Sequence, residues 1–277
     1  MSDFLYNLID VRDWRYEAWI AELHRKQVME AMETLPLRRD VVTVLRYVQD
    51  HKVVGTKSTG NMPRKHIREV CAQFVDPPEL DQQIGDKVYK LRTEFEVWPL
   101  YFIHALTEVG DLLDTPEGRK WRLLPAGVEF LDADPANQLI ELLVTWWWRV
   151  NWMIAYPVGG LGERLPAGFE FITLQRLRAL PVGRTVEYEP FVDRLIERTG
   201  LTWSAEKLTY AQDFLRSSVR KMVIHVCRDF GVLEVQQYER GQHLLPEIRS
   251  LKLTPIGRGL LEAVQLIGEQ LGRVPRP

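Results

Sequence analysis

The stretch IHVCRDFGVL at residues 224–233 is an altered copy of IHALTEVGDL at residues 103–112. Both contain Ile-His, five residues, Gly, one residue and Leu. A second match follows each of them: WRLLPAGVEFL at 121–131 and LKLTPIGRGLL at 251–261 share a Leu, a Pro, a Gly and the final Leu. Such repetition predicts two copies of one structural unit. The spacing between the copies grows from the first match to the second, which predicts a longer surface loop in the second copy.

The order of patterns within each copy predicts a small helical unit closed by a hairpin. In the second copy, apolar residues alternate with polar ones at 232–235 and 251–254, which is typical of two paired strands. An amphipathic helix precedes the first strand, and Pro-x-Gly opens a helix after the second. Upstream, the patterns predict a helix, a short extended segment and a second helix; these lie at 171–180, 183–188 and 190–199, and in the first copy at 40–51, 55–61 and 63–74.

The closing pattern of Gly-x-Leu followed by Leu-Thr-Pro-x-Gly-Arg resembles the wing and last strand of winged helix-turn-helix domains in prokaryotic regulators. The segment TKSTGNMP at 56–63 is similar to a Thr-x-x-Gly-Asn-Leu-Pro segment that opens some winged-helix modules in uncharacterised prokaryotic proteins and helicase-associated domains. The resemblance covers most of 38–132 and 170–265. It implies a mainly α fold with small β wings (α+β), in which two winged-helix domains follow one another. Resemblance at this level indicates fold more strongly than function.

Four segments are expected along the chain. Nine apolar residues at nearly helical spacing predict an N-terminal helical extension, which packs on its own domain or acts as a dimer arm. Gly and Pro are dense between Pro157 and Gly168, which is typical of a linker. The predicted segments are the extension at 1–36, the first winged-helix domain at 37–134, a Trp-rich helix with a Gly/Pro linker at 135–168, and the second winged-helix domain at 169–277.

Composition limits the functions that are possible. The apolar fraction of 45% supports a sizeable core, and the net charge of −2 excludes a general polycation that coats nucleic acid. Any contact with DNA must therefore use a local patch. The two cysteines are too few for a disulfide framework, and the N-terminus, with three aspartates, lacks the pattern of a signal peptide. A cytoplasmic location is expected.

A helix predicted at about 213–230 is the strongest binding candidate. At 100° per residue, its apolar residues fall on one side, and Ile224 falls among the polar residues on the other. The helix before the wing usually enters the major groove in winged-helix proteins, where Arg, Lys and Ser contact phosphates or base edges. The alternative is an ordinary solvated basic face. The predicted DNA-binding residues here are Arg216, Ser217, Arg220, Lys221 and Arg228, with Arg240 and Arg249 from the wing.

The equivalent helix of the first copy, around 97–109, has a different predicted surface. Its outward candidates are Glu94, Glu96, Thr107 and Glu108, a set that would repel phosphate. The first 140 residues are net acidic and the remainder is net basic. This asymmetry indicates that the first copy has diverged toward protein contacts and the second toward nucleic acid or an acidic partner.

The loop 55–60 has the glycine spacing of a phosphate-binding loop, but Asn61 stands where that loop requires Lys. Nucleotide hydrolysis is therefore rejected. Asn61 and Pro63 are favoured residues at the start of a helix, so the loop is predicted to cap one. An open alternative adds contact with a DNA phosphate at that helix N-terminus; the cations that would make it are Lys57, Arg64, Lys65 and Arg68.

The Trp-rich helix predicted at 135–156 contains charged residues that disfavour a membrane span, including Glu141 and Arg149. Because three adjacent tryptophans project in three directions, they cannot all face one core. At least one is expected to pack on the other domain, on the N-terminal helix or on a partner subunit. The predicted protein-interface residues are Trp146, Trp147, Trp148 and Trp152.

No catalytic or metal-binding pattern is found in the sequence: it has no Gly-x-Ser-x-Gly, no His-Glu-x-x-His and no Cys-x-x-Cys. No catalytic residue, metal or cofactor is expected, and His104 and His225 are predicted to share a packing role. The leading hypothesis is a non-enzymatic protein that binds double-stranded DNA, such as a transcriptional regulator, with homodimerisation possible. The alternative is a module that binds proteins, or an accessory subunit of a DNA-processing complex that combines both properties.

Overall fold

The computed structural model shows a mainly helical chain with small antiparallel sheets. This confirms the prediction of a mainly α fold with minor β structure. The residues that the structure describes are 21–155, 164–203, 208–238 and 247–274.

The described residues form two compact units. Residues 30–150 make up the first unit, and residues 21–29 together with 151–274 make up the second. The division between Val150 and Asn151 falls inside the segment 135–168 that the sequence predicts as the joint. The helix predicted at 135–156 is two helices: the first ends at Trp148 and belongs to the first unit, and a short one at Trp152–Ala155 belongs to the second.

The first unit is organised around its first long helix, which contacts four later helices and a strand. The buried residues Val41, Val44, Leu45 and Val48 follow the spacing of one helix face. Four helices have Pro in their first turn without loss of a needed hydrogen bond. After α1 (Lys26–Glu33), which spans the division, the elements are α2 (Pro36–Asp50), α3 (Arg64–Cys71), β1 (Gln82–Ile84), β2 (Lys87–Tyr89), α4 (Trp98–Val109), β3 (Leu113–Asp114), β4 (Arg122–Leu123), α5 (Pro125–Asp132) and α6 (Pro135–Trp148).

The second unit contains a three-stranded antiparallel sheet. Its strands lie in the order β5 (Thr185–Glu187), β7 (Glu247–Leu253) and β6 (Leu233–Tyr238). A long helix runs without interruption through α10 (Leu208–Val219), a π-helical segment at Arg220–His225, and α11 (Val226–Asp229). Gly200 ends α9 in the left-handed region, with φ of 66°. The elements are α7 (Trp152–Ala155), α8 (Phe169–Arg178), β5 (Thr185–Glu187), α9 (Tyr188–Thr199), α10 (Leu208–Val219), α11 (Val226–Asp229), β6 (Leu233–Tyr238), β7 (Glu247–Leu253) and α12 (Pro255–Gln270).

The repeated sequence patterns have the same local backbone structure in the two units. The amide of Leu124 donates to the carbonyl of Leu112 at 3.0 Å, and the amide of Thr254 donates to that of Val232 at 3.1 Å. Leu113 pairs with Leu123 in one hairpin and Leu233 pairs with Leu253 in the other. The shared residues therefore specify one turn from helix to hairpin to helix.

The glycine of each Pro-x-Gly is required by close backbone contact. A Cβ on Gly127 would lie 2.3 Å from the carbonyl oxygen of Leu112, and one on Gly257 would lie 2.2 Å from that of Val232. Both distances are far below van der Waals contact. Only glycine lets the helix after the hairpin begin so close to the strand before it.

Part of the predicted N-terminal extension belongs to the second unit. Leu23 is fully buried, and a Cβ added to Gly259 of α12 would lie 2.7 Å from its side chain. Gly259 thus provides the space that Leu23 fills.

Candidate nucleic-acid interface

The long helix of the second unit is not a regular α-helix along its whole length. A π-helical segment has more residues per turn, so it changes which residues lie on a given side. Ile224 lies in this segment and is fully buried, whereas the 100° projection places it among the outward residues. That placement is wrong because the projection assumes an unbroken α-helix. Lys221 and Arg228 are exposed, and Arg216, Ser217 and Arg220 are half-buried.

Arg216 is held by carboxylates of the neighbouring helix α9. Its Nε donates to Asp193 Oδ1 at 2.7 Å and one terminal nitrogen donates to Oδ2 at 2.6 Å, while Glu189 lies 3.6 Å away. Hydrogen bonds from Arg216 hold the pKa of Asp193 below its usual range, and those bonds raise the pKa of Arg216. Arg216 therefore joins α9 to the long helix, and much of its charge is balanced inside the protein.

Three cations gather further along the helix, around His225. Burial, together with the positive charges of Arg228, Arg220 and Lys221, lowers the pKa of His225 to about 4. Arg228 shares its charge with Asp229, to which its Nε donates at 2.8 Å. For Arg220 and Lys221 the structure gives no ion pair with a described residue. This part of the helix has a positive surface, unlike the part at Arg216.

An open groove lies between the long helix, the start of α9 and the hairpin. It brings together Arg216, Ser217, Arg220 and Arg249 from the predicted DNA-binding set. Lys221 and Arg228 lie outside its lining, and Arg240 lies outside the described residues. Carboxylates also line the groove and outnumber its arginines; they are Glu187, Glu189, Asp193, Asp213 and Glu247.

Aromatic side chains are exposed at the N-terminal end of the long helix. Phe214 stacks on Trp203 with ring centroids 4.9 Å apart and planes 10° apart. Tyr210, one helical turn before Phe214, has 58% of its surface exposed. Sequence reasoning missed this pair of exposed rings, although the spacing of Tyr210, Phe214 and Ser217 along one helix side is visible in the sequence.

The four cations predicted at the loop and helix of the first unit are all exposed. Arg68 donates to Asp81 at 2.6 Å, which holds the pKa of Asp81 low, and Lys65 lies 3.9 Å from Glu69. Lys57 and Arg64 form no ion pair in the described part of the chain. The predicted cap is wrong, because α3 begins after Pro63 and no side chain caps it. The carbonyl of Asn61 instead accepts from the amide of Thr56 at 2.9 Å, which closes the loop on itself.

The position of His104 in the first unit corresponds to that of His225 in the second. His104 lies in a buried polar network, whereas cations surround His225. His104 Nδ1 lies 2.6 Å from Glu94 Oε1, and its Nε2 lies 3.0 Å from the hydroxyl of Thr115. That hydroxyl donates to Glu108 at 2.6 Å, and the amide of Met62 donates to the second Glu94 oxygen at 2.6 Å. The network connects the loop, α4 and the hairpin.

The prediction of an outward-facing acidic surface on α4 is wrong at two positions. Glu94 and Thr107 are fully buried, and only Glu96 and Glu108 are exposed. The helix begins at Trp98, so Glu94 lies in a preceding turn whose direction a helical projection does not give. The buried hydroxyl of Thr107 is satisfied because it donates to the carbonyl of Ile103 at 2.9 Å. The signal for this network in the sequence is Glu94, a glutamate that precedes the histidine His104 by ten residues.

Most of the tryptophans predicted as a protein interface are inside the protein. Trp146, Trp147 and Trp152 are at most 2% exposed, while Trp148 is half-buried. Trp146 packs edge-on against Phe102 of the first unit, and Trp152 packs edge-on against Phe169 of the second. In this conformation these three rings offer no surface to a partner.

Two other kinds of site were sought in the described ranges. No helix there is long and apolar enough to cross a membrane. Within the same residues, no group of three or more His, Cys, Asp or Glu side chains could hold a metal ion.

Comparisons with known proteins give no match. The chain matches no protein-family model, no curated protein and no solved structure. The function therefore has to be inferred from the geometry of the site itself.

Proposed function

We propose that the protein binds double-stranded DNA through the second unit, which we interpret as a winged-helix module. In this proposal the long helix enters the major groove and the hairpin of β6 and β7 is the wing. The element order of the second unit, a helix, a strand, two helices, a hairpin and a helix, supports this interpretation. The first unit has a similar order, with an isolated bridge between Val54 and Lys120 in place of its first strand pairing, an additional hairpin of β1 and β2 between α3 and α4, and an additional helix, α6, at its end.

The observation that carries the proposal is the gathering of Arg220, Lys221 and Arg228 around His225. Burial and, after it, the positive charges of these three residues lower the pKa of that imidazole to about 4. A surface of this kind attracts phosphate and releases counterions from DNA when it binds. Arg249 of β7 adds an exposed cation at the hairpin side of the adjoining groove. Arg216 has a different role, since Asp193 holds it, and it orients the helix rather than binding phosphate directly.

The test is a fluorescence-anisotropy titration of a labelled 20-base-pair duplex of mixed sequence with the full chain, between about 50 and 200 mM salt. The double variant Arg220→Ala, Lys221→Ala should bind about tenfold more weakly and lower the dependence of log K on log salt by about 2. The matched control is Arg198→Ala, Arg273→Ala, which removes two exposed cations elsewhere in the second unit. Equal binding by the two double variants would overturn the proposal.

A second candidate function, the binding of a protein partner, is favoured by the carboxylates of the groove and by the exposed rings of Tyr210 and Phe214. Carboxylates repel phosphate, and exposed aromatic residues are enriched at protein interfaces. If the unmodified protein fails to bind the duplex even at 50 mM salt, this candidate replaces DNA binding.

A further inference from the structure

The first unit has its own positively charged surface, of which only Lys57 is among the cations predicted from the sequence. Lys52, Lys57, Arg119 and Lys120 are exposed, and none forms an ion pair with a described residue. We name these four residues the basic edge. Glu117, two residues before Arg119, is an exposed carboxylate of the same loop.

Backbone hydrogen bonds between two loops hold the basic edge together. The amide of Gly55 donates to the carbonyl of Arg119, and the amide of Gly118 donates to that of Thr56, each at 3.0 Å. The indole of Trp121 donates to the carbonyl of Gly60 at 2.9 Å. These bonds bring residues about sixty positions apart in sequence to one place, which is why composition and local pattern did not reveal the edge.

The tight contact between the loops places the cations side by side. The stem of Lys57 passes Gly118 so closely that a Cβ there would lie 3.5 Å from it. Val54 is bridged to Lys120 in antiparallel fashion, so their side chains lie on the same face. Lys52, two residues before Val54, is exposed, while Val53 between them is fully buried.

We propose that the basic edge binds the phosphate backbone of double-stranded DNA. The edge consists of point charges on long flexible stems, which suit phosphate contacts. A protein interface would require a central apolar or aromatic anchor, and the exposed apolar residue beside the edge is Val54, at 38% exposure. The inference rests on the proposed function for its ligand, but it assigns a different surface in a different unit.

The experiment uses the full chain and the same labelled duplex. The triple variant Lys57→Ala, Arg119→Ala, Lys120→Ala is expected to lower the salt dependence by 2 to 3 and to weaken binding about tenfold at 50 mM salt. The matched control, Lys87→Ala, Lys90→Ala, Arg92→Ala, removes three exposed cations from another part of the first unit and should stay within about twofold. Circular dichroism and thermal unfolding establish that each variant is folded.

A variant that is expected to strengthen DNA binding gives a second test of the basic edge. Glu117→Gln removes the carboxylate of the edge and should tighten binding about twofold to threefold, with a steeper salt dependence. If the triple variant binds like its control while Arg220→Ala, Lys221→Ala loses affinity, the basic edge is overturned and the proposed function stands. Loss of affinity in the triple variant alone would support the edge and overturn the site on the long helix. An unmodified protein that does not bind the duplex overturns both.

Discussion

His104 and His225 occupy the same position in the two copies of one sequence pattern, yet their surroundings differ in charge. His104 lies between Glu94 and Thr115, fully inside a hydrogen-bonded network. His225 is partly buried among Arg220, Lys221 and Arg228, and no hydrogen bond to its ring is found among the described residues. The turn and hairpin that follow the two residues are equivalent, but His225 ends a π-helical segment whereas His104 lies in a regular α-helix, so the difference comes from helix geometry as well as from side chains. A repeated residue therefore marks a repeated place in the fold, not a repeated role.

The largest expected effects concern the glycines that the two units share. Gly127→Ala and Gly257→Ala each force a Cβ against a backbone carbonyl, so each should reduce the free energy of unfolding by more than about 3 kcal/mol. Urea unfolding followed by circular dichroism measures both. A large loss for one variant and none for the other would show that the two helix-hairpin turns are not equivalent.

The histidines should respond unequally to the same substitution. His104→Ala leaves one oxygen of the buried Glu94 carboxylate without its partner, which should lower the free energy of unfolding by about 2–4 kcal/mol. His225→Ala removes a neutral, partly buried ring without breaking a bond and should cost about 1 kcal/mol. Chemical denaturation at pH 7 gives both values. Similar losses would contradict the contrast between the network and the cationic site.

One residue in each unit should make the free energy of unfolding depend on pH, and the two dependences should be opposite in sign. Burial raises the pKa of Asp40 in the first unit to about 6, although the amide of Val75 donates to it. The protonated carboxyl is thus favoured on folding, and its contribution to stability rises as the pH falls from about 6 to 4. For His225, whose folded pKa is below its unfolded value, stability is lost as the pH falls from about 6.5 to 4.

Two variants isolate these contributions. Asp40→Asn should remove the gain on acidification, since its amide oxygen can still accept from Val75. His225→Gln should remove the loss. The free energy of unfolding measured at pH 7, 5.5 and 4.5 checks each variant against the unmodified protein. A variant whose pH profile keeps its original slope refutes the assignment for that residue.

The smallest expected effect is at Arg216. Its ion pair with Asp193 is partly exposed, so Arg216→Met should lower the free energy of unfolding by about 0.5–1 kcal/mol. Arg216→Met should reduce DNA affinity less than the double variant Arg220→Ala, Lys221→Ala does, because the charge of Arg216 is already balanced inside the protein. Thermal unfolding and the anisotropy titration together test this order. If Arg216→Met has the larger effect on binding, the groove itself contacts phosphate.

The repeated local structure could be predicted from the sequence because it depends on a few residues with strict steric requirements. Gly127 and Gly257 tolerate no Cβ, and the leucines of the hairpins alternate with polar residues, so both signals are visible in one chain. The mainly α fold followed from the same patterns.

The orientation of individual side chains could not be predicted in the same way. The π-helical segment changes the helix phase and buries Ile224, and no local pattern gives its position. Glu94 is buried with partners from two other segments, the amide of Met62 and the ring of His104. The basic edge depends on pairing between loops that are distant in sequence. In each case a contact between remote residues overrides the local pattern.

The contact between Leu23 and Gly259 has a consequence for how the chain acquires its structure during synthesis. Residues near the beginning of the chain complete a unit whose last helix is made near the end. Because chains are made from the N-terminus at about 5–20 residues per second, Leu23 emerges roughly ten seconds or more before Gly259 exists. The second unit therefore closes only after translation has passed α12, and until then Leu23 has no place in it to be buried.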